Sequence, residues 1–142
     1  MANVYNNQGD YPKALEFYQK DLAISEKVSG KEHPDTAKTY NNMANVYNNQ
    51  GDYSKALELY KKALAIDEKV LGKEHPDTAQ TYYNMANVYF KQEDYPEALE
   101  LYKKALAIFE KALGKEHPHT IDTIKNMAIL EYKMSGKPTS HQ

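Results

Sequence analysis

The stretch TYNNMANVYNNQGDYSKALELYKKALAI, residues 39–66, contains two helical patterns separated by a break. Before the break, apolar side chains recur at intervals of three and four residues, at Tyr40, Met43, Ala44 and Tyr47. After it, the same intervals separate Ala56, Leu57, Tyr60, Ala63 and Leu64. This spacing places the apolar side chains on one side of each helix. Because Gly51-Asp52 separates the two patterns, the stretch predicts a helix, a tight turn and a second helix.

The pattern recurs with a period of 42 residues. Residues 1–42 and 43–84 are identical at 34 of 42 positions, and residues 85–126 repeat the pattern with more changes. A fixed period of this size is typical of one supersecondary unit stacked in tandem. We therefore predict an all-α solenoid over residues 1–134, with repeats at 1–42, 43–84 and 85–126, a C-terminal capping helix to residue 134, and a polar tail at 135–142. The seven predicted helices cover residues 1–8, 10–29, 35–50, 52–71, 77–92, 94–113 and 119–134.

Residues with capping roles mark the predicted helix ends. Asp52 is placed to accept a backbone N–H of the helix that follows it. Gly72 tolerates the positive φ that commonly ends a helix. Pro76 falls in the first turn of the next helix, where its missing N–H is not needed.

The turn of the third repeat departs from this pattern. Glu93 stands where the earlier repeats have glycine, and this predicts a turn that avoids a glycine-only conformation. Asp94 and Glu97 have the spacing of a capping box.

Composition excludes several classes of protein. The formal net charge of −2 argues against a nucleic-acid or anionic-membrane partner. No apolar run is long enough to span a bilayer. The absence of cysteine rules out thiolate chemistry and suits a reducing, cytoplasmic location. There is no glycine-rich phosphate loop and no nucleophile with an evident base, so neither an enzyme nor a cofactor is predicted.

The stretch quoted above resembles the tetratricopeptide repeat. That family's pattern is a large aromatic, a Leu-Gly-like pair, Tyr, Gly, Ala, an aromatic and a final Ala. The matching residues are Tyr40, Met43-Ala44, Tyr47, Gly51, Ala56, Tyr60 and Ala63. The period of 42 exceeds the family's ordinary 34, and the longer unit resembles the cargo-binding domain of kinesin light chains. The resemblance implies a right-handed α–α superhelix that acts as a protein-binding scaffold or adaptor.

The resemblance also implies that the first helix of each repeat lines a concave groove. That face carries many asparagines, including Asn3, Asn41, Asn45, Asn48, Asn84 and Asn87. An Asn side chain both donates and accepts hydrogen bonds, so it can pair with the backbone of an extended peptide. The resemblance implies this role for Asn45 and Asn87, and we extend it to Asn3. The alternative is that these asparagines are merely solvated, although Asn is a mediocre helix former.

Positions at which the repeats differ are the candidates for ligand preference. One row of equivalent positions, each 42 residues after the last, contains Lys38, Gln80 and Asp122. Other such rows contain the aromatics Tyr83, Phe90 and Tyr132 and the basic residues Lys91, Lys125 and Lys133. The aromatic and basic residues predict a pocket for an aromatic side chain flanked by acidic ones, a preference that the resemblance to kinesin light chains also implies. The alternative is ordinary packing between neighbouring first helices.

Histidine recurs once per repeat, at His33, His75 and His117. Stacked helices lie about 10 Å apart, so a unit of two helices separates neighbouring histidines by roughly 20 Å. The ligands of one metal ion lie about 2 Å from it. These residues are therefore predicted to be linker residues that pack before proline, and no metal site is predicted.

Two other hypotheses remain open. Near-identical repeats can stack end to end into fibres, through the exposed face of residues 10–29 with a contribution from Phe109. The chain could also be a fragment or an engineered protein with no function of its own, since residue 1 aligns with the middle of a first helix.

Overall fold

A computed structural model of the chain describes residues 10–136, which form six α-helices and contain no strand. The helices are α1 (Tyr11–Val28), α2 (Pro34–Asn49), α3 (Tyr53–Val70), α4 (Pro76–Lys91), α5 (Tyr95–Leu113) and α6 (Pro118–Ser135). Each end lies within one residue of its predicted position, and the predicted all-α class is confirmed. The predicted helix at 1–8 and residues 137–142 of the predicted tail lie outside the described residues.

The helices belong to two compact units, Met1–Gly72 and Lys73–Gln142. In the first unit, α2 packs against α1 and α3. In the second unit, α5 packs against α4 and α6. Successive antiparallel helices joined by short turns are the expected arrangement of a helix–turn–helix repeat.

Small residues allow the helices of each unit to approach closely. In the first unit, Ala44, Ala56 and Ala63 are completely buried, and Ala37, Ala63 and Ile66 form a cluster beside Tyr40. In the second unit, the corresponding Ala86, Ala98 and Ala105 are also completely buried. The alanines of the predicted apolar stripes are therefore core residues.

The turn between α2 and α3 has the predicted capping geometry. Gly51 has a φ of 83°, and the carboxylate of Asp52 accepts the N–H of Lys55 at 3.3 Å. The N–H of Asp52 donates to the carbonyl of Tyr47 at 2.9 Å. This last bond closes the helix end and requires a left-handed residue just before Asp52.

Glu93 adopts the left-handed conformation with a φ of 64°, which lies in the region that L-residues can occupy, so the turn avoids a glycine-only conformation as predicted. The helix end needs this conformation, since the N–H of Asp94 donates to the carbonyl of Tyr89 at 2.9 Å, as in the preceding turn. An L-residue can occupy the left-handed region, although at a cost in strain.

The predicted capping box at Asp94 and Glu97 was wrong. The Asp94 side chain makes no cap hydrogen bond. Its backbone N–H, which Glu97 would have to accept in a capping box, is already bonded to the carbonyl of Tyr89.

The linker histidines cap the helices that follow them. In each linker, the imidazole Nδ1 accepts the backbone N–H two residues later, at 3.0–3.1 Å; the pairs are His33 with Asp35, His75 with Asp77 and His117 with His119. A buried threonine fixes the other end of two linkers, since Thr36 donates to the carbonyl of Gly30 and Thr120 to that of Gly114, both at 2.8 Å. The histidines are therefore structural residues of the helix starts.

Candidate functional site

Asn45 on α2 is held by a tyrosine of the following helix. Its Oδ1 accepts a hydrogen bond from the hydroxyl of Tyr60, which is only 1% exposed. Burial raises the pKa of Tyr60 above the ordinary tyrosine value, so the hydroxyl remains a donor at neutral pH. The Asn45 amide nitrogen makes no hydrogen bond with any residue of the described range. The side chain is therefore fixed by its oxygen and keeps its donor hydrogens available.

Asn87 on α4 has the same partner in the second unit. Its Oδ1 accepts a hydrogen bond from the hydroxyl of Tyr102, which is also 1% exposed. It accepts a second, longer bond of 3.4 Å from Nδ2 of Asn126 on α6. Two asparagines that are 42 residues apart are thus positioned by two equivalent tyrosines.

Tyr83 belongs to the hydrogen-bond network around Asn87. Its hydroxyl accepts from Nδ2 of Asn126 at 2.8 Å, and its ring meets that of Tyr102 edge to face at 5.7 Å. Burial and then the nearby Asp122 carboxylate raise the pKa of Tyr83, while the side-chain amides of Asn126 and Asn87 oppose the shift. The hydroxyl of this predicted ligand-contacting residue is therefore engaged within the second unit.

Asn48 presents a buried acceptor. Its Oδ1 is inaccessible to solvent and has no hydrogen-bond partner among residues 10–136. A buried acceptor without a partner typically costs about 1–3 kcal/mol.

The other predicted site residues have different surroundings. Asn84 accepts a hydrogen bond from the side chain of Gln80 at 3.0 Å, and Asn41 is half-buried. Phe90 packs edge to face on Tyr95 at 5.6 Å. Lys91 and Lys125 are exposed. Asn3 lies outside the described residues.

A small cavity of about 210 Å³ opens in the second unit. Its lining residues are Gln80, Tyr83, Phe109, His119 and Asp122. Of the predicted site residues, only Tyr83 belongs to this lining. Gln80 and Asp122 come from the variable row that also contains Lys38.

The placement of Phe109 corrects one expectation. Phe109 is 1% exposed, and its ring lies 5.4 Å from that of His119. It is a core residue of the second unit and therefore contributes no exposed surface to end-to-end association. Replacement of the polar residue of the previous repeat by phenylalanine fits this burial.

Sequence reasoning missed the residues that position the asparagines. The sequence pattern places Tyr60 on the apolar side of its helix, and it does not single out Asn126. A signal for Asn126 exists, since it lies 42 residues after Asn84. The tyrosine partners carry no such signal, because packing and hydrogen bonding by a tyrosine look the same in sequence.

No helix in the described part of the chain is both long enough and apolar enough to cross a membrane. No protein with a curated description matches the sequence.

The sequence profile of the tetratricopeptide repeat family matches three overlapping segments, residues 1–69, 35–110 and 77–140. One similar structure is that of a Podosopora anserina protein named for kinesin light chain, with nearly identical TPR-like repeats. It is 30% identical with a TM-score of 0.82, and the match covers 95% of this chain and 64% of that one. BtubC (BKLC) from P. vanneervenii is 28% identical with a TM-score of 0.84. This match covers 95% of this chain and 54% of that one. The chain thus spans less than two thirds of both relatives.

The N-terminal domain of stress-induced protein-1 (STI-1) from C. elegans shares the fold alone. It is 21% identical with a TM-score of 0.67, and the match covers 92% of this chain and 89% of that domain.

Proposed function

Because the chain belongs to the tetratricopeptide repeat family, whose repeats form non-enzymatic protein-interaction modules, we propose that it binds an extended peptide through Asn45 and Asn87. Each asparagine donates from its amide nitrogen to a backbone carbonyl of the peptide. Contacts of this kind hold a backbone without reading its sequence. The protein then acts as a scaffold or adaptor.

The observation that carries this proposal is the hydrogen bond from Tyr60 to Asn45, with its counterpart from Tyr102 to Asn87. A donor that is already fixed in place loses little side-chain entropy on binding, and such preorganisation favours affinity. Asn48 is a further candidate contact on the same helix as Asn45, although its Oδ1 becomes accessible to a peptide N–H only if the side chain turns outward. Asn41 and Asn84 are the further candidate contacts on the two helices.

The exposed Lys91 and Lys125 favour a peptide that carries acidic residues. An aromatic side chain of the peptide has the partly open rings of Tyr83 and Phe90 as candidate contacts. We therefore retain an aromatic residue among acidic ones as the proposed ligand preference at these positions.

The sharpest test replaces asparagine with aspartate. Asn45→Asp and Asn87→Asp keep the oxygen that accepts from the tyrosine hydroxyl, but they lose the amide donor. We expect each change to weaken binding of peptides selected from a random library by about tenfold, with little change in helix content. Asn49→Asp is the matched control, since Asn49 is exposed on the same helix and the change adds the same charge. Equal binding by the Asn45→Asp/Asn87→Asp variant and the unchanged protein would contradict the proposal.

A second candidate function is end-to-end self-association. Ile121 and Ile124 on α6 are 38% and 45% exposed, and on α1 Ile24 and Val28 are 61% and 78% exposed. An apolar surface on one helix that meets a different surface of another copy forms a contact that does not close. Light scattering against concentration tests this candidate: the Ile124→Glu variant should remain monomeric where the unchanged chain associates. A concentration-independent monomer of the unchanged chain would exclude it.

A further inference from the structure

The cavity of the second unit has the size of a side-chain pocket. Its volume of about 210 Å³ lies below the ~300–1,000 Å³ typical of pockets that hold a drug-sized molecule. Its lining comes from three helices, with Gln80 and Tyr83 on α4, Phe109 on α5, and His119 and Asp122 on α6. A pocket built from several elements around a buried ring is suited to receive one protruding side chain.

The lining offers hydrogen-bond acceptors and one negative charge. Asp122 is the only acidic residue of the lining, which contains no lysine or arginine. Within residues 10–136, Asp122 makes no ion pair and no hydrogen bond, even though Lys125 lies three positions along the same helix. The amide nitrogen of Gln80 is bonded to Asn84 at 3.0 Å, and this leaves the oxygen of Gln80 as an acceptor.

The walls of the pocket are aromatic. Tyr83, Phe109 and His119 supply rings, and the carboxylate of Asp122 is close enough to contribute to the raised pKa of Tyr83. A cation is attracted to the face of an aromatic ring, most strongly where water is excluded. This chain already makes such contacts, since Nζ of Lys62 lies 5.7 Å from the ring centroid of Tyr40, and Nζ of Lys104 lies 5.6 Å from that of Tyr82.

The combination of lining residues occurs once in the sequence. One repeat earlier, the positions of Gln80, Tyr83 and Phe109 are occupied by Lys38, Asn41 and Asp67. The position of Asp122 is occupied there by Gln80. The pocket is therefore specific to the place where the end of the second repeat meets the third, as expected for a residue set that determines specificity.

We propose that this pocket takes the cationic end of an arginine or lysine side chain of a bound peptide. The charge pairs with Asp122, the oxygen of Gln80 accepts a further hydrogen bond, and the rings of Tyr83 and His119 contact the side-chain stem. The inference rests on the proposed peptide-binding function and adds to it a basic residue at one position of the ligand. Acidic residues of the peptide would lie elsewhere, beside Lys91 and Lys125.

The test is selection of peptides from a random display library by the full chain and by two variants. Asp122→Asn removes the charge of the pocket and keeps the side-chain size. Glu131→Gln is the matched control, because Glu131 is exposed on the same helix, lies outside the lining and loses the same charge. We expect the unchanged chain and Glu131→Gln to enrich arginine or lysine at one peptide position, and Asp122→Asn to lose that enrichment.

A selected peptide then allows a quantitative check. Replacing its basic residue with citrulline or norleucine should weaken binding to the unchanged chain about tenfold, and should have little effect on binding to Asp122→Asn. Enrichment that survives Asp122→Asn, or selected peptides without a basic position, would overturn the proposal that the pocket takes a basic side chain. Either result would leave the proposed peptide binding in place. Recovery of no peptide at all would overturn both, and loss of selection only in Asn45→Asp/Asn87→Asp would leave both standing.

Discussion

The hydroxyl of Tyr60 on α3 donates a hydrogen bond to Oδ1 of Asn45 on α2, fifteen positions earlier in the chain. Tyr102 and Asn87 repeat this relationship in the second unit. Each tyrosine thus has two functions. Its ring fills the core between two helices, and its hydroxyl satisfies and orients an amide that would otherwise be free to rotate.

Removal of the Tyr60 hydroxyl should therefore affect both stability and binding. In Tyr60→Phe, Asn45 loses the partner of its half-buried oxygen, and we expect the free energy of unfolding to fall by about 1–3 kcal/mol. Peptide affinity should also fall, because the Asn45 amide is no longer fixed. The control is Tyr53→Phe on the same helix, whose hydroxyl has no partner among the described residues and whose loss should cost less than about 0.5 kcal/mol. Urea denaturation gives the stabilities, and equal values for the two variants would contradict the prediction.

Much of the fold could be predicted from sequence because the deciding signals are local. The apolar spacing, the Asp52 cap and the glycines with positive φ act within a few residues of each helix end, so the predicted helix ends agree with the structure within one residue. The error at the predicted capping box of Asp94 and Glu97 arose where one local rule overrode another. The bond from Asp94 to the Tyr89 carbonyl imposes a left-handed residue at position 93 and occupies the N–H that a capping box requires.

The candidate site was less accessible to sequence reasoning, because it depends on contacts between helices. The asparagines could be found from their recurrence on a helix face. The hydrogen bond from Tyr60 to the oxygen of Asn45 could not be found in this way, since it depends on which side chains meet when two helices pack. The same limit applies to the pocket at Asp122, whose lining residues come from three helices.

The buried tyrosine hydroxyls should make stability sensitive to alkaline pH. Burial raises the pKa of Tyr60 and of Tyr102 above the ordinary value of 10.0. Both hydroxyls ionise near pH 10 in the unfolded chain, while the folded chain retains their protons. Their contribution to stability is therefore complete below about pH 10 and is lost as the pH rises from there towards the raised folded-state pKa. Urea denaturation at a series of pH values should show the free energy of unfolding falling above pH 10, with a smaller slope in Tyr60→Phe. An unchanged slope in that variant would contradict this assignment.

The histidine caps predict a specific response to mutation at the linkers. Nδ1 of His75 accepts the N–H of Asp77 at 3.0 Å at the start of α4. In His75→Ala this N–H loses its partner, and we expect a loss of about 1 kcal/mol in the free energy of unfolding. His75→Asn should retain most of the stability, because asparagine is a preferred N-cap residue. The two variants separate capping from other effects of the imidazole, and comparable losses in both would show that capping is not its role.

The turns before α3 and α5 differ in one residue that must adopt the same left-handed backbone conformation. Gly51 has a φ of 83° and Glu93 a φ of 64°. We expect Glu93→Gly to raise the free energy of unfolding by about 0.5–1 kcal/mol, because glycine removes the left-handed strain and only part of the gain is offset by its freedom in the unfolded chain. Gly51→Ala should lower it by a similar amount. A Cβ at Gly51 would meet nothing within 4 Å, so this loss measures backbone strain without a steric clash. Chemical denaturation of both variants checks the pair, and a stability change of the same sign in both would contradict the shared conformation as its cause.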